Sequence, residues 1–355
     1  MRRFRLNWGL LINLGLICAT LLIFAIAAEL LLRMTGIFVP ARLGWVGQFQ
    51  TKRSKNFIVD PQTGWRMRPN HSFVWIYDGR PNIYQSNSQG FRSAGDFDAG
   101  DRRYKLAFVG DSFFFGTGVA NDETIPAVVG KAAPDRIAWN FGMPGFGVDQ
   151  IWLSARYQAL PLKPDLLVVG LINDDFARSQ VPYRRLEGFA KPTFELVNDR
   201  LVQRTTEQPP NILLQNLDEH SRLGGMWEHA VRWVGVHFSR GEYWTLNRAI
   251  IDALREDCRK AGVPVLFVYI PAKGFRSFQA LPAYMRRTGA EYIDLTEQRP
   301  VPPPSIYLQH DMHLSVAGHR YVADLIERWL KSHPLTMVHA YPESYNGRGF
   351  HAISR

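Results

Sequence analysis

Cysteine is nearly missing from this chain of 355 residues, which has only Cys18 and Cys258. Cys18 lies in an apolar N-terminal stretch and Cys258 in a segment of helical pattern, so no structural disulfide is expected. Scarcity of cysteine leaves the compartment open, since many exported bacterial proteins lack disulfides. Acidic residues are also in short supply: 32 Asp and Glu face 42 Lys and Arg, for a net charge of +10. The basic residues are scattered, with only short clusters such as Arg2-Arg3-Arg5 and Lys52-Arg53-Lys55. A nucleic-acid binder concentrates such charge in a stripe, so the reading is a generally basic surface and no nucleic-acid partner. Acidic glycans and anionic lipid headgroups stay open as partners. No internal repeat is present. What the chain does have is apolar content of 46% and aromatic content of 13%. That is enough core for one large α/β domain with extra segments, or for two small domains, and it excludes wholesale disorder.

The N-terminus carries the one long apolar run. Gly9 to Ala28 is 20 residues without a charge, with Asn13 and Thr20 its clearly polar members. As a helix it would span about 30 Å, the thickness of a bilayer's hydrocarbon core. Arg2, Arg3 and Arg5 before it favour a cytoplasmic N-terminus, although Arg33, Arg42, Lys52 and Arg53 lie on the other side. Ala25-Ile26-Ala27 resembles a signal-peptidase site, but Leu30-Leu31-Leu32 prolong the apolar pattern and suit a retained anchor better. Lipid attachment at Cys18 is disfavoured, because Ile17 stands where a small residue is needed. Residues 1–33 are therefore expected to be a single-pass anchor in the inner membrane. The remainder is expected on the periplasmic or extracytoplasmic side.

Residues 34–103 are rich in Pro, Gly, Asn and aromatics, as in Asp60-Pro61-Gln62-Thr63-Gly64-Trp65 and Ser88-Gln89-Gly90-Phe91-Arg92. Alternation from His71 to Tyr77 predicts short strands and turns, a lead-in segment packed on the larger domain C-terminal to it. From Lys105 the pattern changes. Apolar runs at Lys105–Val109, Ile137–Phe141, Leu166–Gly170, Val263–Ile270 and Glu291–Leu295 have the character of buried parallel strands. Helical stretches separate several of them, including Asn247–Ala261, and Val316–Lys331 closes the series. The alternation predicts a parallel sheet covered on both faces over 104–331, interrupted by an insertion at about 176–245. Residues 332–355 read as a loose tail.

Open parallel sheets keep their chemistry beyond the carboxyl ends of the strands. There the sequence offers Gly110-Asp111-Ser112, then Asn140-Phe141-Gly142-Met143-Pro144-Gly145, then Gly170-Leu171-Ile172-Asn173-Asp174. The segment His310-Asp311-Met312-His313-Leu314-Ser315 precedes the last helix. A serine hydroxyl needs a base to take its proton, and the base needs a carboxylate to orient it; Ser112, His313 and Asp311 are those three types. The Ser112 and Gly145 backbone N–H groups and the Asn173 amide suit a developing oxyanion. Blander readings exist for each block. Gly-Asp-Ser alone is a common turn, Asn173-Asp174 can cap a helix, and His310, Asp311 and His313 can suggest a metal cluster, though no further close ligand completes one. The glycines of 142–147 have the wrong spacing for a dinucleotide loop, and no Gly-x-Ser-x-Gly elbow surrounds Ser112. Neither a cofactor nor a metal is expected.

All four blocks in this order resemble the SGNH, or GDSL, hydrolase superfamily, over about 105–330. The resemblance implies a flavodoxin-like three-layer α/β/α fold behind the transmembrane helix, with a Ser112-His313-Asp311 triad. It also implies an oxyanion hole from Ser112, Gly145 and Asn173. The anchor and the Gly-Phe-Arg of the lead-in resemble membrane-tethered bacterial members. One departure stands out: the usual last block is Asp-x-x-His, whereas Asp311-Met312-His313 is a residue shorter, as in the alginate O-acetylation proteins of the superfamily. The function implied is a serine esterase or acyltransferase working through an acyl-enzyme on an acylated small molecule or glycan, O-acetyl groups of an envelope or exported glycan foremost. A lipase or thioesterase with the same triad is one alternative, and a non-catalytic glycan-binding member of the fold is the other.

Overall fold

The computed structural model describes residues 8–35, 56–181, 183–184, 189–204, 223, 240–273, 279–299 and 302–334. Most of the tail read at 332–355 and the basic residues Arg2, Arg3 and Arg5 lie outside these. The chain divides into two compact units, Met1–Gln48 with Pro210–Phe238, and Phe49–Pro209 with Ser239–Arg355. The main described element of the first is helix α1, Trp8–Thr35. Apolar side chains such as Leu21, Ile23 and Phe24 stand exposed along it, as a membrane helix requires and a water-facing helix avoids. Its Gly15–Met34 stretch of 20 residues is long and apolar enough to cross a bilayer, a property signal sequences share.

The second unit opens with two antiparallel hairpins: β1 (Phe57–Asp60) with β2 (Gly64–Met67), and β3 (Ser72–Tyr77) with β4 (Arg80–Gln85). The β3–β4 turn is Asp78-Gly79, with φ of 47° and 76°. Positive φ at both central residues matches the twist of the flanking strands. The sheet then begins with β5 (Tyr104–Val109), helices α2 (Ser112–Phe115) and α3 (Ile125–Lys131), and β6 (Arg136–Asn140). Helix α4 (Val148–Ser154), β7 (Leu166–Leu171) and helix α5 (Asn173–Arg178) come after these. Two small hairpins come next, β8 (Tyr183–Arg184) with β9 (Phe189–Ala190) and β10 (Thr193–Val197) with β11 (Arg200–Arg204). They lie in the segment read as an insertion. The regular pattern resumes with α6 (Arg240–Ala261), β12 (Val265–Tyr269), α7 (Ala280–Thr288), β13 (Tyr292–Asp294) and α8 (Val316–Ser332).

The five sheet strands are all parallel and stand in the order β13-β12-β7-β5-β6. Counted along the chain that is 2-1-3-4-5, the flavodoxin-like winding, whose direction reverses between the first and third strands. The mixed α/β architecture behind an apolar N-terminal helix is thus the one the sequence predicts. On one face Leu106, Phe108, Leu166, Val168, Leu266 and Val268 pack against Ile125 and Val129 of α3 and Val322 and Ile326 of α8. The alternate residues Ala107, Leu167, Val169 and Phe267 are equally buried, so both faces are covered. Strand alternation makes the two sets unavoidable once the runs are apolar throughout. The reversal point, where β5 and β7 neighbour each other, is where the site is found.

Candidate active site

Beyond β5 the chain makes a single helical turn, α2. Asp111 caps it, its Oδ1 accepting the Phe113 N–H at 2.9 Å, so Ser112 stands at the first helical position. Two glycines make room for the turn: a Cβ on Gly170 would come 2.7 Å from the Phe114 ring, and one on Gly142 would come 2.4 Å from the Phe115 nitrogen. Asn140, at the end of β6, ties the parts together. Its Nδ2 donates to Phe114 O at 3.0 Å, and its Oδ1 accepts the Gly142 N–H at 2.9 Å.

The structure brings Ser112, His313 and Asp311 into one line. His313 Nε2 lies 2.7 Å from Ser112 Oγ, and His313 Nδ1 lies 2.5 Å from Asp311 Oδ1. The same Asp311 oxygen accepts the His313 backbone N–H at 2.8 Å. The short Asp-x-His spacing therefore closes a local turn in which the carboxylate meets the ring from the Nδ1 side. With Nδ1 as donor to Asp311, Nε2 is left to accept the serine proton. Ser112 is 6% exposed and His313 7%, with the Phe113 and Tyr77 rings 5.2 and 6.5 Å from the imidazole. His310, the neighbouring histidine, is exposed, and its backbone N–H donates to Asp78.

A second acceptor lies near the serine hydroxyl: Asp111 Oδ2, at 3.2 Å. That oxygen is already engaged by Arg178 Nη1 at 2.9 Å, which leaves the closer imidazole as the better proton acceptor. Arg178 joins two of the four sequence blocks, through Asp111 and Asp174, to Phe146, the residue that follows a third. Its Nη1 also donates to Asp175 Oδ1 at 2.8 Å and to Phe146 O at 3.1 Å, and its Nη2 lies 3.6 Å from Asp174. Burial opposes its charge, but Asp175, Asp174 and Asp111 outweigh that and raise its pKa above the ordinary value. Asp175 is held well above the usual carboxylate range by burial and by Asp111, against the pull of Arg178. Sequence reading missed Arg178, whose partner Asp111 lies 67 residues away.

Asn173 is the first residue of α5 rather than its cap. Asp175 supplies the capping acceptor, its Oδ2 taking the Ile172 N–H at 2.9 Å. Asn173 Oδ1 accepts the Ala272 N–H at 3.3 Å, which turns its amide NH₂ away from that contact. Gly145 has φ of 81°, and its neighbours are pinned: Pro144 O accepts the Trp65 indole N–H at 3.0 Å, and Phe146 O accepts from Arg178. The Ser112 N–H, as the first of a helix, has no carbonyl a turn earlier to bind. A hydroxyl nucleophile, a base and its orienting acid, with amide donors about the strand ends, is an arrangement suited to acyl transfer.

Further residues hold the histidine loop. Asp78 accepts the backbone N–H groups of Gln309 at 2.6 Å and His310 at 3.1 Å, and Lys273 Nζ donates to Leu308 O and Gln309 O at 2.7 and 2.9 Å. His319, on α8, is fully buried, and neither ring nitrogen has a hydrogen-bond partner among the described residues. Burial, with Arg92 and His313 nearby, pushes its pKa down to about 3, so it is neutral at pH 7.

No family model matches the chain, and no curated protein matches it. Among solved structures it is similar to a putative lipolytic protein of the G-D-S-L family from Desulfitobacterium hafniense, with 15% identity over 64% of this chain and 99% of that one, TM-score 0.40. A lipase/acylhydrolase from Enterococcus faecalis matches at 15% identity over 66% and 99%, TM-score 0.37. A family 3 carbohydrate esterase from Clostridium thermocellum matches at 11% identity over 65% and 96%, TM-score 0.35.

Proposed function

We propose that the protein is a serine esterase or acyltransferase in which Ser112 Oγ attacks an acyl carbonyl. The observation that carries this reading is the pair of short contacts on His313, 2.7 Å to Ser112 and 2.5 Å to Asp311. His313 takes the serine proton as the new bond forms, and Asp311 stabilises the imidazolium. The oxyanion of the tetrahedral intermediate is held by the Ser112 and Gly145 N–H groups and the Asn173 amide. Collapse expels the alcohol, which receives the proton from His313 and leaves an acyl-Ser112. A water or sugar hydroxyl, deprotonated by the same imidazole, then takes the acyl group and restores the serine.

The acyl group we favour is acetyl, on an envelope or exported glycan. Ser112 and His313 are nearly buried, and the Phe113 and Tyr77 rings lie beside the imidazole, which suits a small acyl group. The apolar α1 suits a single-pass anchor that holds the enzyme outside the cytoplasm, on the side where envelope and exported glycans lie. The test is labelling by a fluorophosphonate, together with turnover of 4-nitrophenyl esters of increasing acyl length. Labelling lost in Ser112→Ala, with acetyl turned over fastest, is the expected result. Preference for long chains would move the reading to a lipase or thioesterase, and wild-type protein that resists the probe would remove the catalytic reading.

A further inference from the structure

The hairpins and turns of 56–97 lie before the sheet in sequence, yet they grip the loop just after Ser112. Helix α2 is one turn long, too short to hold itself together, and its last carbonyls need donors from elsewhere. Asn140 supplies the one for Phe114 O, and Arg92 supplies those for Phe115 O and for the carbonyls just beyond the helix. Its Nη1 donates to Phe115 O at 2.8 Å and Gly116 O at 2.5 Å, its Nη2 to Val119 O at 2.5 Å, and its Nε to Asn121 Oδ1 at 2.8 Å. The guanidinium is stacked 4.0 Å from the centre of the Tyr84 ring, and the Tyr84 hydroxyl accepts the Gly118 N–H at 2.8 Å. A cation at the C-terminal end of a helix is favourable, and here it is buried with its charge spread over four acceptors.

The Gly90-Phe91-Arg92 motif delivers this side chain. Gly90 turns the chain with φ of 79°, where a Cβ would meet Met67 O at 2.6 Å. Phe91 packs on Phe97 and on Phe141, which neighbours the Asn140 that holds α2 from the other side. We propose that Arg92 is a positioning residue for Ser112: by holding the 115–119 carbonyls it fixes the direction of α2, and with it the serine Oγ and N–H. Asp78 is the second arm of the same device, since it holds the Gln309–His310 backbone next to Asp311 and His313. Both roles rest on Ser112 being the attacking group.

The test uses the full chain in detergent or nanodiscs. Active sites are counted by fluorophosphonate labelling of Ser112, and kcat and KM are expressed per counted site beside the melting temperature. Arg92→Ala should lower kcat by about 10²-fold, the cost of an ångström-scale misplacement, with KM within about twofold. Guanidinium ion added back should restore part of that kcat. Arg92→Lys, which keeps the charge but cannot reach all the carbonyls, should fall between. Asp78→Ala should lower kcat about tenfold in the same KM-neutral way. Wild-type kcat per site in folded Arg92→Lys or Arg92→Ala would overturn the proposal. So would a loss in which only the number of labelled sites falls, because that is a folding role alone. Should Arg92→Ala fail to fold, Arg92→Lys and Asp78→Ala decide. Labelling that persists in Ser112→Ala would instead overturn the proposed function.

Discussion

With one residue between them, Asp311 and His313 share a turn in which a single carboxylate oxygen receives both the ring and the backbone N–H of the histidine. Two substitutions separate those tasks from the neighbouring candidate. Asp311→Asn should cut kcat by about 10⁴, because the imidazole loses the acceptor that fixes its tautomer. His310→Ala, with the side chain in solvent, should leave kcat unchanged, and its inactivation would mean that the histidine has been misassigned. Asn173→Ala should lower kcat by about 10² to 10³ with little change in KM if its amide acts, as proposed, on charge that appears only in the transition state. A pure KM effect would make it a substrate-binding residue. His319 gives a prediction about stability. Its pKa is pushed down to about 3 in the folded protein, whereas in the unfolded chain a histidine titrates near about 6.5. The unfolded state therefore binds more protons between those values, and the stability present above about pH 6.5 is lost as pH falls toward 3. Urea titrations between pH 6.5 and 4 should show a shallower loss for His319→Leu than for wild type; equal slopes would mean that the imidazole is protonated in place.

At the scale of elements, the strands were legible because buried parallel strands leave unbroken apolar runs. Leu166–Leu171 is buried at every position, and the sequence reading of Leu166–Gly170 misses it by one residue. Helix α8 was legible from its period in the same way. Helix α2 was not, since four residues of Ser-Phe-Phe-Phe carry no period, and its existence depends on space left by Gly142 and Gly170. The first seven residues of α6, Arg240–Leu246, combine a glycine with charged and aromatic residues, which hid its start. Ser112, Gly145, Asn173, Asp311 and His313 were visible because each belongs to a short motif placed after a strand or before a helix. Arg178 and Asp78 were not, because their importance lies in contacts that no local pattern announces, and Arg92 was visible only as part of the Gly-Phe-Arg of the lead-in, without a role. Space at the glycines gives its own expectation. Gly142→Ala places a Cβ against the Phe115 backbone, which cannot yield as a flexible side chain would. A destabilisation of about 1 to 3 kcal/mol by urea unfolding, with weakened Ser112 labelling, is the expected outcome. An unperturbed variant would show that α2 has slack.

For the whole molecule, α1 and the enzyme-like unit raise the question of sidedness. With the arginines before the apolar run facing the cytoplasm, residues beyond α1 should be cut by protease added to intact spheroplasts. Protection until lysis would reverse the orientation. The unit's own construction bears on when its chemistry can begin. Ser112 and His313 are 201 positions apart, so hydroxyl and imidazole meet only after all five strands of the sheet have been made. During synthesis the serine emerges long before the histidine, so the hydroxyl spends that interval without its imidazole partner. Under the proposed function, turnover would have to wait until the segment before α8 has been made, a delay set by the order of the polypeptide itself.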